Sequence, residues 1–88
     1  MIKYTFIFEY EGGTYIKQVA ASELKHAIDI WANLIGPEIP EFYKTKKTQL
    51  LKETQFHDPD PIIGIDNVWH LHLEIGKTFG YLNVVATL

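Results

Sequence analysis

The sequence predicts an α+β fold in a ββα(α)ββ order. Two β-hairpins form one antiparallel four-stranded sheet, and a helix over residues 22–35 packs on one of its faces. Three observations predict this. Residues 2–20 hold two alternating runs around Gly12-Gly13, residues 22–35 carry an apolar stripe at helical spacing, and residues 68–86 hold a second alternating pair around Gly76-Lys77. All 88 residues are read as a single small domain.

In the first hairpin, Ile2, Tyr4, Phe6, Phe8 and Tyr10 share one face of a strand, and Lys3, Thr5, Ile7, Glu9 and Glu11 share the other. Gly12 and Gly13 supply the positive φ values of a two-residue turn. That turn pairs Tyr10 with Tyr15, Phe8 with Lys17 and Phe6 with Val19, and Val19 and Ala21 continue the aromatic face. For the helix, Ser22 is the expected N-cap and Glu23 suits the positive end of the helix dipole. Leu24, Ala27, Ile28, Trp31, Leu34 and Ile35 form the stripe, and Gly36-Pro37 stops it.

The stretch 37–62 carries a weaker pattern. Pro40 is a candidate first helical residue, and Phe42, Tyr43, Leu50 and Leu51 give a broken stripe, so a second helix is placed at about 41–54. His57-Asp58-Pro59-Asp60-Pro61 reads as a rigid loop. In the last hairpin, Trp69, Leu71, Leu73 and Ile75 face the core, while Val68, His70, His72 and Glu74 face away. Gly76-Lys77 suits a type II′ turn, which sets Trp69 opposite Val84, His70 opposite Asn83, His72 opposite Tyr81 and Glu74 opposite Phe79. With the strands numbered in chain order, 2-1-3-4 and 2-1-4-3 both satisfy these pairings.

Composition narrows the function classes. The chain has no cysteine, which excludes disulfides, thiolate metal sites and thiol nucleophiles, and points to a reducing compartment such as the cytoplasm. No signal-like leader and no apolar run of membrane-spanning length is seen, so no membrane association is expected. A net charge of -3 argues against nucleic acid, and Lys44, Lys46 and Lys47 read as a solvated face.

Catalytic chemistry has little to stand on. Ser22 is the only serine and serves as a cap, and Gly12-Gly13 closes a hairpin rather than opening a helix around phosphate. No catalytic residue is assigned. His70, His72 and Glu74 project from one side of one strand, at alternate positions about 6.5–7 Å apart. Two imidazoles and a carboxylate in that row are a candidate Zn²⁺ site, and the plainer reading is a polar outer face with a His72–Tyr81 contact. His57, Asp58 and Asp60 offer an acid–base or metal pair but equally ordinary turn chemistry, and His26 reads as a lone exposed histidine.

The outer sheet face is the better candidate. Ile7, Ile16, Val68, Phe79, Tyr81 and Val85 form an apolar patch there, rimmed by Lys3, Glu9, His70 and Glu74. Ile7, Ile16, His70, His72, Phe79 and Tyr81 are its candidate binding residues. Coverage of the C-terminal half of this face by segment 37–62 is the alternative.

The first 35 residues resemble the opening of HicB-type antitoxin domains. The shared features are a strand, an acidic residue before Gly12-Gly13, a strand from Tyr15 and a helix after Ser22. The Pro-Asp-Leu-Pro-Gly-Cys-like loop of such domains and a DNA-binding tail are missing, and no function is carried over. The expected function is non-enzymatic: an interaction or regulatory domain acting as a homodimer or as the neutralising partner of another protein, with no cofactor. The alternative is a metal-binding protein or metal-dependent enzyme using zinc at His70, His72 and Glu74.

Overall fold

The computed structural model describes residues 1–88. Its elements are β1 (Ile2–Tyr10), β2 (Gly13–Ala21), α1 (Leu24–Leu34), α2 (Lys44–Phe56), β3 (Asp60–Pro61), β4 (Val68–Ile75) and β5 (Thr78–Thr87). The fold is α+β, and its antiparallel sheet has five strands, not four, in the order β2-β1-β5-β4-β3. The two long hairpins therefore join through β1 and β5. The fifth strand is Asp60–Pro61, within the segment expected to be loop, where Asp60 lies opposite His70 and Pro61 opposite Trp69.

The strand parities follow the hydrophobic alternation. Tyr4, Phe6, Phe8, Tyr10, Leu71, Leu73, Ile75, Leu82 and Val84 are buried on the inner side. Trp69 packs partly against the same core. The second hairpin has the expected register throughout, from Trp69 opposite Val84 to Glu74 opposite Phe79. Gly76 at φ 63° begins its type II′ turn.

The first hairpin differs from the expectation by two residues. Glu11 and Gly12 form the turn, with φ 46° and 81°, the signature of type I′. Tyr10 consequently faces Gly13, Phe8 faces Tyr15, Phe6 faces Lys17 and Tyr4 faces Val19. A shift of two preserves the parity, so the same side chains reach the core. Gly13 becomes a strand residue because the Tyr15 ring folds over it; a Cβ there would lie 2.6 Å from the phenol oxygen.

α1 begins later than expected. Glu23, not Ser22, is its N-cap, without a side-chain capping bond, and its carbonyl accepts from Ala27 N–H. Ala27, Ile28, Trp31 and Ala32 are buried along it, with Ile35 just beyond its end; Leu34 falls outside the stripe and is 52% exposed. Trp31 stacks on Phe6 (5.4 Å, 6°) and meets Phe8 edge-on (5.2 Å, 74°). These rings join the helix layer to β1, in one core of 19 buried residues.

α2 runs Lys44–Phe56 rather than 41–54, because Pro40 sits in the preceding turn and Glu41 takes φ 58°. Only Leu50 and Thr54 are buried on it. Polar contacts complete its placement. The Glu74 N–H donates to Glu53 Oε1 (2.6 Å) and the Gly76 N–H donates to Gln49 Oε1 (2.7 Å). α2 thereby caps the open side of β4 instead of covering the outer face.

The α1–α2 junction gathers charges around the end of α1. The Lys47 ammonium donates to the Asn33 and Ile35 carbonyls, which helix termination leaves without intrahelical partners. Burial lowers the Lys47 pKa, and nearby Glu38 opposes that shift. Burial alone would raise the Glu38 pKa; donation from its own N–H, the Gly36 N–H and Lys17 outweighs it, so the carboxyl lies below its ordinary 4.5. Lys17 approaches Glu38 to 3.2 Å.

With a depressed folded pKa, Glu38 stabilises the fold above its unfolded value, and this contribution is lost as pH falls through the folded value. The unfolded chain binds more protons across that window. Glu38→Gln should therefore flatten the acid side of a urea-midpoint-against-pH curve below about pH 5. The effect should stay under about 1 kcal/mol, because the pair is partly solvated. An unchanged acid slope would contradict the assignment.

Candidate functional site

Alternation along four strands builds the outer face. β2 contributes Thr14, Ile16 and Gln18, β1 contributes Thr5, Ile7 and Glu9, β5 contributes Phe79, Tyr81, Asn83 and Val85, and β4 contributes Val68, His70, His72 and Glu74. The registers align them in rows. Ile16, Ile7, Asn83 and His70 lie side by side across the sheet, and Thr14, Glu9, Tyr81 and His72 form the next row.

The face is not covered by 37–62. Ile16 is 66% exposed, Phe79 49% and Tyr81 44%, whereas Ile7 is half-buried between its neighbours. Exposure of Phe79 and Tyr81 places them at the crest of the C-terminal half, flanked by two grooves. One, of about 390 Å³, runs past Glu9, Glu11 and Thr14; the other, of about 310 Å³, runs past Glu53, His57, Asp58 and Asp60. Each flank carries carboxylates and no Lys or Arg.

The rings on this crest pack together. His72 lies 4.6 Å from Phe79 and 4.8 Å from Tyr81, with the Tyr81 plane only 28° away. His70 stacks more distantly on Tyr81 at 6.4 Å. Its Nδ1 is 2.9 Å from Asn83 Oδ1, so a bond there requires Nδ1–H to donate. In the neutral ring this leaves Nε2 as the free lone pair.

His70, His72 and Glu74 share the outer face as expected, but their side chains do not converge. The two imidazole centroids are 6.5 Å apart, and no group of three or more His, Asp or Glu side chains is arranged to hold a metal ion. The other candidates have local partners. His57 Nε2 lies 3.4 Å from Glu53, and Asp58 accepts from Lys25 at 3.3 Å. His26 is exposed on α1, and Asp60 is in β3.

Sequence reasoning found the residues of the face but missed Glu53 and Gln49, the side chains that close the margin of β4. Their targets lie 21 and 27 residues along the chain, and no local pattern signals contacts at that distance.

No protein-family model matches the chain, and comparison with curated proteins and with solved structures returns no match. The resemblance of the first 35 residues thus gains no support. No helix is long and apolar enough to cross a membrane.

Proposed function

We propose that this chain is a non-enzymatic interaction domain. It acts by protein–protein association, as a homodimer or as the neutralising partner of another protein, through the outer face of the sheet or its free edge. The observation that carries this reading is the exposed Phe79–Tyr81–His72 crest on a face that both helices leave open. A sheet with one face packed against helices needs no aromatic residues on the other, and a contiguous apolar patch is a usual mark of association. The carboxylates flanking the crest favour a protein partner that surrounds an apolar centre with Lys or Arg. The absence of cysteine fits a reducing compartment such as the cytoplasm.

Site-specific photo-cross-linking tests the reading. Benzoylphenylalanine in place of Phe79 should give one discrete protein adduct in cells, and Tyr81→Glu should abolish it. The same label at Leu34, on the helix layer, should not give that adduct. No adduct from Phe79, or the same adduct from Leu34, would refute use of this face.

The competing reading is zinc binding through His70, His72 and Glu74, which share this face. It requires the His70 and His72 rings, with centroids 6.5 Å apart, to turn toward a common point. Calorimetric zinc titration of the wild type and His70→Ala discriminates. Binding heat lost in the variant supports zinc, and absent or equal heat disposes of it.

A further inference from the structure

The two margins of the sheet are built differently. On one side, β3 is a two-residue strand with Pro61 in it and Pro59 before it, while Glu53 occupies the Glu74 N–H of β4 and Gln49 the Gly76 N–H of the turn after it. Proline, short strands and side-chain caps all oppose pairing with another chain. On the other side, β2 runs for nine residues, Gly13–Ala21, without proline and with β1 as its only strand neighbour.

The register identifies what β2 leaves open. Tyr10 and Gly13 close the two-residue turn, so Gly13, Tyr15, Lys17, Val19 and Ala21 exchange bonds with β1. The N–H and C=O groups of Thr14, Ile16, Gln18 and Ala20 therefore point away from the sheet. None of them takes part in the backbone bonds made outside the regular elements.

The geometry points to a second copy of this chain as the occupant of that edge. We propose that two β2 strands pair antiparallel about a twofold axis at Ile16, making one continuous sheet. The proposal rests on the association reading above at its free edge, away from the Phe79–Tyr81 crest, and names the partner at that edge. In this register Ile16 faces Ile16 of the second copy, and Thr14 faces Gln18 of the second copy. On the helix side, Tyr15 lies opposite Lys17 of the second copy, whose ammonium stays with Glu38 of its own chain.

The complementarity is specific to this alignment. Moving the axis to Lys17 sets two ammonium groups opposite each other, and moving it to Gln18 sets Ile16 against Ala20 and Lys17 against Val19. Of the three, only the Ile16-centred register matches isoleucine with isoleucine and sets the Thr14 hydroxyl opposite Gln18, whose amide N–H donates to Thr5 and whose Oε1 remains to accept. Ile16, 66% exposed in one chain, would be covered. The pairing is isologous and uses up the one open margin, so assembly stops at two.

Sedimentation velocity from micromolar to millimolar concentration tests the proposal. The wild type should show a concentration-dependent dimer. Ile16→Pro removes an N–H that β1 does not use, so the hairpin ladder stays intact. By symmetry it deletes two intermolecular bonds and should weaken association by about 30-fold. Circular dichroism should confirm that the variant remains folded.

A register test does not depend on proline being tolerated. Because the chain has no cysteine, each introduced thiol is unique. Ile16→Cys places two thiols on Cα positions about 5.5 Å apart, within disulfide reach, and should oxidise rapidly to a covalent dimer. Ala20→Cys should not.

A monomer at every concentration, a folded Ile16→Pro variant that dimerises as the wild type does, or rapid oxidation at Ala20→Cys but not at Ile16→Cys would overturn the proposal. A Phe79 adduct with a different protein, from a chain that sediments as a monomer, would remove the second copy and leave the association reading standing. A monomer without any such adduct would remove both.

Discussion

Trp31→Ala should cost about 3–5 kcal/mol, the range for truncating a fully buried aromatic. The indole is 0% exposed and lies between the sheet and the rest of α1, stacked on Phe6 and edge-on to Phe8. Its loss opens a cavity where helix and sheet meet, and the neighbouring rings are too constrained to refill it. Trp31 Nε1 has no hydrogen-bond partner, so truncation also removes an unsatisfied buried donor, which moves the cost toward the lower end. Trp31→Phe keeps ring contact and drops that donor, so it should cost distinctly less than alanine. Urea denaturation followed by far-ultraviolet dichroism measures both. A domain of this size has roughly 5–15 kcal/mol in total, so Trp31→Ala should remove a large share of its stability. An alanine variant within about 1 kcal/mol of the wild type would contradict this packing.

Gly80→Val should destabilise by more than the roughly 1–3 kcal/mol usual for one overpacked core position. Gly80 is buried on the inner side of β5, opposite Leu73. A Cβ there would lie 2.5 Å from Cε1 and 2.7 Å from Cζ of Phe8. The Phe8 ring has little room to retreat, since it is 0% exposed, meets Trp31 at 5.2 Å and stacks on Tyr10 at 5.8 Å. Gly80→Ala should show the same clash at smaller cost. Combining it with Phe8→Leu makes room for the added carbon, so the double variant should be more stable than the sum of the single losses implies. Strict additivity in the denaturation midpoints would show that the ring does not press on Gly80.

The legibility of the chain varied with the range of the forces involved. The sheet faces were readable because alternation is imposed residue by residue, as in Trp69, Leu71, Leu73 and Ile75. The second hairpin was readable to its register, since Gly76-Lys77 admits one tight turn between its runs. In the first hairpin two adjacent glycines allowed two turns, and the Tyr15 ring over Gly13 matched the one that forms. β3 carries no periodic signal in Asp60–Pro61 and exists because β4 offers a margin to pair with. α2 was blurred because only Leu50 and Thr54 are buried along it, while Glu53 and Gln49 attach it through remote backbone groups. At the candidate site, parity assigned Ile7, Ile16, His70, His72, Phe79 and Tyr81 to one face. Whether anything lay over that face depended on the docking of α2, a tertiary outcome without a local signature.

The place of β5 has a consequence for how the molecule comes into being. Lys3 lies opposite Thr87, so β1 must wait for β5 before the two halves of the sheet meet. During synthesis on a ribosome, the aromatic side of β1 has nothing but its own hairpin and α1 for shelter until β5 has emerged. Closure across so many intervening residues is slow compared with local hairpin formation. The nascent chain therefore passes through an interval of exposed Phe6 and Phe8, when a chaperone has most to offer it.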